Sequence, residues 1–437
     1  MIGEGGARKL QDLLPGEAVR TLDHAPAFRI PGASPAAVVF PSNEKVTADI
    51  LRLASEERWG VVPAGHGGGL YLGNAPERAQ LVLSTARMTG LVDYEPADLT
   101  LTARAGTRLG TLQTELAAHG QFLPLDPPGA ADATLGGIAA VGWGGSLAGA
   151  FGGPRDHVLG VRAVLADGTA IRSGGRVVKN VAGYDLHRLF VGSFGTLAVV
   201  SEISLKVRPK PAADRTAIFT APAWLPLQTL ALRLLSNPWP FAACDLLSPS
   251  LAVSTGATET PAAALAVRAM GPDAAARDLL DRAEALASGE GIRETHRFEG
   301  AESEAFWKGL TQTEVLADDA LTVRVATAPG LSSGVLGEAH RALAPGASLE
   351  FHAHASAGVV RLYVRGDAGG FAAWTEAVRR RAESAGGHAF VERAPAGVRD
   401  RLDAWSGTGS AAAVARRVKA AHDPMMILSP GRFADGI

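Results

Sequence analysis

The spacing of apolar residues predicts alternating helices and strands along the first two hundred residues. Apolar positions recur at helical spacing over 42–58, where Ser42 or Asn43 can cap the helix, and again over 107–119. Short apolar or alternating runs predict strands at 60–63, 81–84, 99–103, 158–165 and 197–207, with a short helix at 184–190. This half of the chain is therefore predicted to mix helices and sheet.

A proline pair in Arg208-Pro209-Lys210-Pro211 predicts a domain boundary. Beyond it, the pattern predicts helices at about 222–235, 272–288, 302–310 and 371–385, alternating with strands near 241–246, 263–268, 321–326 and 358–364. At 437 residues the chain is longer than a single hydrophobic core usually supports, so two or three domains are expected. We predict an N-terminal extension over 1–35, a first domain over 36–210 and a second α+β domain over 216–437.

Composition narrows the class of protein. The formal net charge is −2 with no basic stripe, which argues against nucleic acid as a partner. The single cysteine, Cys244, excludes an internal disulfide and any cysteine-ligated metal centre within this chain. Residues 1–6 lack a signal-peptide core, and no window approaches 18 apolar residues. We expect a cytoplasmic protein that meets a membrane only through partners.

The 52 glycines crowd into 65–73, 136–153 and 174–195, beside apolar runs. Such clusters are typical of backbone that must approach something closely. The first, Pro63-Ala64-Gly65-His66-Gly67-Gly68-Gly69-Leu70, follows a predicted strand and suits a pyrophosphate cradle, because converging backbone N–H groups bind phosphate oxygens. It is neither a G-x-G-x-x-G turn opening a helix nor a P-loop. A tight turn without a ligand remains the alternative.

Further segments make the pattern specific. Asp126-Pro127-Pro128 with Ala133-Thr134-Leu135-Gly136-Gly137, and then Val178-Lys179-Asn180-Val181-Ala182-Gly183-Tyr184-Asp185 with Gly192-Ser193-Phe194-Gly195, follow in order. Together these segments resemble the FAD-binding domain of the vanillyl-alcohol-oxidase and p-cresol-methylhydroxylase (PCMH) flavoproteins. The third segment and the C-terminal Ser429-Pro430-Gly431-Arg432 are most similar to FAD-binding subunits of bacterial glycolate oxidases. The likeness covers about 36–210 and the last twenty residues.

This resemblance implies an α+β fold, with a two-part PCMH-type FAD-binding domain followed by an α+β FAD-linked-oxidase C-terminal domain, and 414–437 packing back on the FAD domain. By analogy the first loop wraps the pyrophosphate, the second approaches the isoalloxazine, and the third holds the adenosine half. The implied cofactor residues are Pro63, Gly65, His66, Gly67, Gly68, Gly69, Leu70, Pro128, Thr134, Leu135, Gly136, Gly137, Gly192, Gly195 and Val200.

The first loop also bears on how FAD is attached. In covalent members the residue that carries a histidyl–flavin bond corresponds to Gly68, which implies non-covalent FAD here. His66 is then interpreted as a hydrogen-bonding neighbour of the cofactor. Ala64 and Ala198 depart from the arginine and glycine that are common in the family.

Catalytic residues are harder to assign. Related D-2-hydroxy-acid dehydrogenases carry a His-x-x-Asp-Gly-Asn-x-His segment, to which 354–361 corresponds with Ala357 and Val359 at positions that need ligand atoms. No metal site is therefore expected there. The candidates are Lys179, Arg324, His354 and Arg361. The alternation over 351–354 puts His352 and His354 on one face, where they could bind a metal weakly but are interpreted as ordinary strand histidines. Surface arginines and a loop lysine are the structural alternatives for the other candidates. Asp185 is interpreted as a helix cap.

Three functions stay open. The chain is an FAD-binding subunit of a glycolate-oxidase complex, acting on glycolate or D-lactate beside a homologous FAD-linked catalytic subunit and an iron–sulfur subunit. Alternatively, it is a self-sufficient FAD-dependent dehydrogenase of a 2-hydroxy acid or polyol, or a scaffold that has lost the cofactor.

Overall fold

The computed structural model describes the chain except residues 1, 15, 176–183, 314–319, 396 and 408, and except the side chains at 294, 313, 400 and 410. The N-terminal part contains α1 (Glu4–Leu13), β1 (Val19–Arg20), β2 (Ala37–Val39), α2 (Glu44–Glu56), β3 (Val61–Ala64) and β4 (Leu81–Ser84). These strands form a sheet in the order β1-β2-β4-β3, in which β4 runs parallel to both β2 and β3.

Helix α2 shows how the sequence builds this layer. The side chain of Asn43 accepts a hydrogen bond from the backbone N–H of Val46 at 3.0 Å, which caps the first turn. Ile50, Leu51 and Ala54 are fully buried in the cluster that contains the strands of this sheet. The predicted helix over 42–58 is thus confirmed, with Asn43 rather than Ser42 as its cap.

A second, antiparallel sheet completes the first half of the chain. This part contains β5 (Leu91–Glu95), β6 (Thr100–Arg104), α3 (Leu109–Ala117), β7 (Gln121–Phe122), α4 (Leu135–Val141), α5 (Ala148–Phe151), α6 (Pro154–His157), β8 (Val158–Val164), β9 (Ala170–Gly174), α7 (Leu186–Phe190), β10 (Val199–Lys206) and β11 (Arg208–Pro209). The sheet order is β5-β6-β10-β8-β9, and β11 pairs with β7. Helices α3 and α4 pack against it through Leu112, Leu116 and Ile138.

The rest of the chain forms one eight-stranded antiparallel sheet in the order β15-β12-β14-β13-β17-β18-β16-β19. Its elements are β12 (Ala213–Ala221), α8 (Trp224–Leu235), β13 (Ala243–Leu247), α9 (Pro249–Ser254), β14 (Ala263–Gly271), α10 (Asp273–Ser288), β15 (Arg293–Glu299), α11 (Ala301–Thr313), β16 (Leu321–Ala326), α12 (Ser332–Arg341), β17 (Ser348–His354), β18 (Val359–Arg365), α13 (Phe371–Ser384), β19 (His388–Arg393) and α14 (Ala412–His422). The first and second halves together make an α+β fold.

The two faces of the large sheet differ in chemistry. Alternate residues such as Cys244, Phe351 and Leu362 enter the main core under α8, α10, α12 and α13. The residues between them include the polar or charged Asp245, His352, His354 and Arg361, and all four are buried. This polar face meets the first half of the chain, since Ser146 bonds Asp245 and Trp143 packs on Phe390.

The C-terminal segment returns to the first sheet. The backbone N–H of Val61 donates to Ile427 O at 2.7 Å, and that of Ser429 donates to Val61 O at 2.8 Å, so residues 427–429 extend the sheet beside β3. The buried Lys419 ammonium on α14 donates to Thr196 O and Leu428 O, both at 2.7 Å. The tail is therefore joined to the third glycine segment.

Most periodic segments formed the predicted elements, and two details differ. The sequence pattern missed several elements, among them strands β2, β5, β12, β15 and β19 and helices α1, α4, α9 and α12. Asp185 stands at the start of α7, but its side chain makes no capping hydrogen bond and instead approaches Arg188 at 3.8 Å. The expectation of a side-chain cap there was wrong. Within the described residues, no helix combines the length and the apolar character needed to cross a bilayer.

Candidate functional site

A cavity of about 770 Å³ opens where the glycine segments meet. This size lies in the range of about 300–1,000 Å³ that is usual for small-molecule and cofactor sites. Its walls come from the end of β3, the turn before α4, and the loop between α7 and β10. Of the implied cofactor residues, its lining includes Pro63, Gly65, His66, Gly67, Gly68, Gly69, Leu70, Pro128, Thr134, Gly136, Gly137, Gly195 and Val200.

Two glycines of the first loop have no room for a side chain. A Cβ on Gly65 would lie 2.1 Å from Thr134 Oγ1, so this loop touches the start of α4 directly. Gly67 has φ +93°, and a Cβ there would lie 2.2 Å from Ala27 O. A Cβ on Gly68 would meet no atom within 4 Å. The loop backbone is therefore held against protein on one side and open on the other.

The second glycine segment begins helix α4. Thr134 caps this helix, because its Oγ1 accepts the N–H of Gly137 at 3.1 Å, while both residues line the cavity. Leu135 points the other way: it is buried in the core beneath the helix with Leu112 and Leu116. The structure gives Leu135 a packing position away from the cavity, since consecutive helical residues face different sides.

Gly192 likewise lies outside the lining. It has φ +83°, and its N–H donates to Ala139 O at 2.9 Å, which joins the third segment to α4. Ser193, Phe194 and Gly195, which follow it, line the cavity. The structure thus gives Gly192 the place of a turn residue behind the wall.

His66 sits in the wall as a polar neighbour. Burial, and next the charge of Arg108, lower the pKa of His66 below its usual value. This shift of the pKa favours the neutral imidazole over the cation. Arg108 itself pairs with Asp132 at 3.2 Å at the cavity rim.

Arg432 supplies a buried cation that the glycine-centred interpretation did not assign to the site. Its guanidinium Nη2 donates to Leu70 O at 3.0 Å and to Leu72 O. Its Nη1 has no hydrogen-bond partner within the described residues, although only 4% of the residue is exposed. Burial, and then repulsion by Arg399, lower the pKa of Arg432 to about 10, so the group stays charged at neutral pH. An orphaned donor of this kind in a cavity wall fits an anionic cofactor.

Aromatic rings form the wall toward the large sheet. Trp143 and Phe194 line the cavity and pack edge to face at 6.0 Å between ring centroids. Behind them lie Phe390 and Trp405, at 5.2 Å from Trp143 and 4.8 Å from Phe194. Nothing in the sequence pattern separated these rings from ordinary core residues, because they belong to three distant segments.

The catalytic candidates lie behind this wall. Arg361 is buried, and its Nε donates to both oxygens of Glu392, at 2.8 and 3.0 Å. Arg324 and Arg361 place their guanidinium carbons 5.0 and 6.0 Å from the Trp143 ring centroid. Neither arginine belongs to the cavity lining as the described residues define it.

His354 also lies outside the lining. It bonds Asp245 on the neighbouring strand, with its Nδ1 3.0 Å from Asp245 Oδ2. His352 and His354 do share one face of β17, as the alternation predicted. Lys179 lies outside the described residues.

The arrangement as a whole fits FAD. Glycine backbone from all three segments borders the cavity, a cation with an orphaned donor stands in the wall, and rings are available for a planar ligand. The residues that would hold the cofactor are the first loop, the Thr134–Gly137 turn, the loop at 193–195 and Arg432.

Comparison with known proteins agrees with this geometry. Residues 35–174 match the family model of an FAD-binding domain. The chain is 36% identical over 218 residues to glycolate oxidase subunit GlcD of Bacillus subtilis, covering 50% of this chain and 46% of that protein. It is 50% identical over 126 residues to glycolate oxidase subunit GlcE of Escherichia coli, covering 29% of this chain and 36% of that protein. The chain therefore spans less than half the length of these two relatives.

Solved structures show the same fold over nearly the whole chain. p-Cresol methylhydroxylase with substrate bound matches with a TM-score of 0.77 at 16% identity, covering 99% of this chain and 97% of that one. Alkyldihydroxyacetonephosphate synthase matches with a TM-score of 0.74 at 15% identity, covering 99% and 86%. Residues 35–174 are thus an FAD-binding domain, and the chain has the fold of the PCMH-type FAD flavoproteins.

Proposed function

We propose that this chain is the FAD-binding subunit of a 2-hydroxy-acid dehydrogenase complex of the glycolate oxidase type. It takes part in oxidising glycolate or D-lactate to the 2-oxo acid and passes the electrons on. The observation that carries the proposal is a glycine-walled cavity with a buried arginine whose Nη1 has no hydrogen-bond partner among the described residues, in a chain 50% identical over 126 residues to a glycolate oxidase subunit.

In this proposal the residues of the chain bind and orient the cofactor without a covalent link. The first loop offers backbone N–H groups at Gly67, Gly68 and Gly69, and Arg432 offers the charge. FAD, when bound, supplies the two-electron acceptor for the oxidation. Trp143 and Phe194 separate the cavity from the polar face of the sheet.

The engagement of the catalytic candidates supports a division of labour between subunits. A hydroxy-acid substrate needs a base for its hydroxyl proton and a cation for its carboxylate. His354 and Arg361, which offered these, are buried and bonded to Asp245 and Glu392 within this chain. A homologous FAD-linked subunit would then carry the substrate chemistry, and an iron–sulfur subunit would accept the electrons.

The same proposal places the chain in the cytoplasm, with any membrane contact made through its partners. Its single cysteine, Cys244, is a buried thiol, in keeping with a reducing compartment.

An anaerobic titration tests the proposal. The purified chain should carry one FAD, which acid precipitation should release completely into the supernatant. Glycolate or D-lactate should leave the flavin absorbance of the isolated chain unchanged and bleach it when the partner subunits are present.

The other outcomes identify the alternatives. Bleaching of the isolated chain would show a self-sufficient dehydrogenase. A colourless chain that does not take up added FAD would show a scaffold. Flavin that stays with the acid precipitate would contradict the non-covalent attachment.

A further inference from the structure

Asp245, His352 and His354 form a compact cluster on the polar face of the large sheet. Strands β13 and β17 are antiparallel neighbours with Asp245 opposite His354, and His352 lies two residues away on the same face. His352 Nε2 and His354 Nδ1 lie 2.7 and 3.0 Å from the same oxygen, Asp245 Oδ2. All three residues are at most 2% exposed.

The carboxylate in this cluster is bonded unevenly. Asp245 Oδ2 faces both imidazoles and also accepts a hydrogen bond from Ser146 Oγ at 2.5 Å. Asp245 Oδ1 has no hydrogen-bond partner in the part of the chain that the structure describes, although it is fully buried. A buried carboxylate oxygen of this kind ordinarily has a partner, so the Asp245 carboxylate keeps one oxygen that can accept a further group.

We propose that Asp245, His352 and His354 bind one divalent transition-metal ion of the zinc type. One ligand atom from each residue lies within 4.8 Å of the other two, so all three can meet a single ion. Two imidazoles and a carboxylate are a donor set that suits Zn²⁺ and its first-row neighbours.

The adjustment that metal binding requires is small. Ligand atoms 2.0–2.1 Å from a tetrahedral zinc are about 3.3 Å apart. With Asp245 Oδ2 as the ligand atom, its present separations of 2.7 Å from His352 Nε2 and 3.0 Å from His354 Nδ1 would open by about 0.6 and 0.3 Å. Ser146 Oγ, which lies 3.4 Å from His354 Nδ1, or a water molecule, would take the fourth position.

The position of the site indicates its role. Ser146 belongs to the FAD-binding half and lies three residues after Trp143, which lines the cavity. Asp245, His352 and His354 belong to the large sheet. The ion would join the two halves one layer behind the cavity wall. Because the cluster is sealed from solvent, the ion would hold the interface rather than bind substrate.

This ligand set shares only His354 with the segment 354–361, in which the sequence predicted no metal site, and its other two ligands lie outside that segment. Arg361 stands where the related dehydrogenases have the last histidine of their motif, and it is bonded to Glu392 and is not a ligand in the proposed site. Asp245 comes from a strand more than a hundred residues away. The proposal stands independently of the substrate and partners proposed above.

Metal analysis of the FAD-loaded chain, purified without chelators or a histidine tag, tests the inference. We expect one equivalent of zinc or a similar metal per chain by plasma mass spectrometry. After chelation, one equivalent of Co²⁺ should give a high-spin electron paramagnetic resonance signal typical of nitrogen and oxygen ligands, and should raise the melting temperature.

Variants show whether the metal occupies this cluster. Asp245→Asn and His352→Gln should each weaken Co²⁺ binding by at least about 100-fold, because altering residues that only support metal ligands already costs about 10–100-fold. His24→Gln, at an exposed histidine, is the matched control and should bind as the unaltered chain does.

Two results would overturn the inference. One is a folded, unaltered chain that takes up no stoichiometric Zn²⁺ or Co²⁺, which would leave a hydrogen-bonded His–Asp–His cluster. The other is uptake that persists with the same Co²⁺ signal in both variants. Because the first measurement uses the unaltered chain, the test does not depend on whether the variants fold.

Discussion

Replacing Arg432 by methionine should weaken FAD binding strongly while leaving most of the fold in place. Methionine keeps an unbranched apolar stem of similar length but removes the guanidinium. The variant loses the donors to Leu70 O and Leu72 O, and the cavity loses the cation whose Nη1 is unsatisfied within the described residues.

The size of the effect follows from the charge of the lost donor. Hydrogen bonds that involve a charged group contribute about 1.5–3 kcal/mol. At about 1.4 kcal/mol per factor of ten, the Kd for FAD should rise by roughly 10- to 150-fold. The pKa of Arg432 is lowered only to about 10, so the full effect is expected at pH 7.

Titration of the apo-chain with FAD, followed by flavin fluorescence, measures this Kd directly. Arg432→Lys keeps the charge without the planar fork and should fall between the two. Arg29→Met, at an exposed arginine, should match the unaltered chain. A Kd for Arg432→Met within twofold of the unaltered value, in a folded protein, would refute a role for this cation in FAD binding.

Three further predictions concern the packing around the site. Arg361→Met should lower the free energy of unfolding, measured by denaturant titration, by about 3–5 kcal/mol because it leaves Glu392 buried without this partner. The double variant that also carries Glu392→Met should recover much of that loss. Gly65→Ala should lower the free energy of unfolding by about 1–3 kcal/mol because its Cβ would overlap Thr134. Gly5→Ala, at a position with open space around it, is the control and should not destabilise the protein. Equal melting temperatures of the two variants would argue against the close approach of Gly65 to Thr134. Cys244 is fully buried, and burial raises the pKa of its thiol, so the native chain should not react with a thiol reagent such as Ellman's reagent until it is denatured; rapid native reaction would contradict the sealed core.

The sequence predicted the regular elements where one periodicity covered a whole segment. The helix over 42–58 formed within two residues of its expected ends, and the strands near 81–84 and 321–326 formed as expected. Strand β12 was missed because it directly follows the prolines that were interpreted as a boundary. Helix α4 was missed because a glycine- and alanine-rich segment has little apolar periodicity.

Many residues that line the cavity could be predicted from the sequence for a different reason. Glycine clusters signal close backbone approach at the level of single residues, and most of those assigned to the cofactor line the cavity. Leu135 and Gly192 were assigned with their neighbours although one faces the core and the other turns the chain behind the wall. A motif identifies a segment, whereas the direction of each side chain depends on the helix or turn that the segment forms.

The polar face of the large sheet could not be predicted because its pairs come from distant strands. Asp245 meets His352 and His354, and Arg361 meets Glu392, only after β13, β17, β18 and β19 have paired. From the sequence, His354 and Arg361 could be judged only against a local motif, and their engagement by partners elsewhere in the chain was invisible. Those partners decide the chemistry: His354 faces Asp245, which bonds Ser146 of the FAD-binding half, while Arg361 is bonded to Glu392 within the large sheet. The sheet therefore contributes to the site by supporting Trp143 and the wall of the cavity.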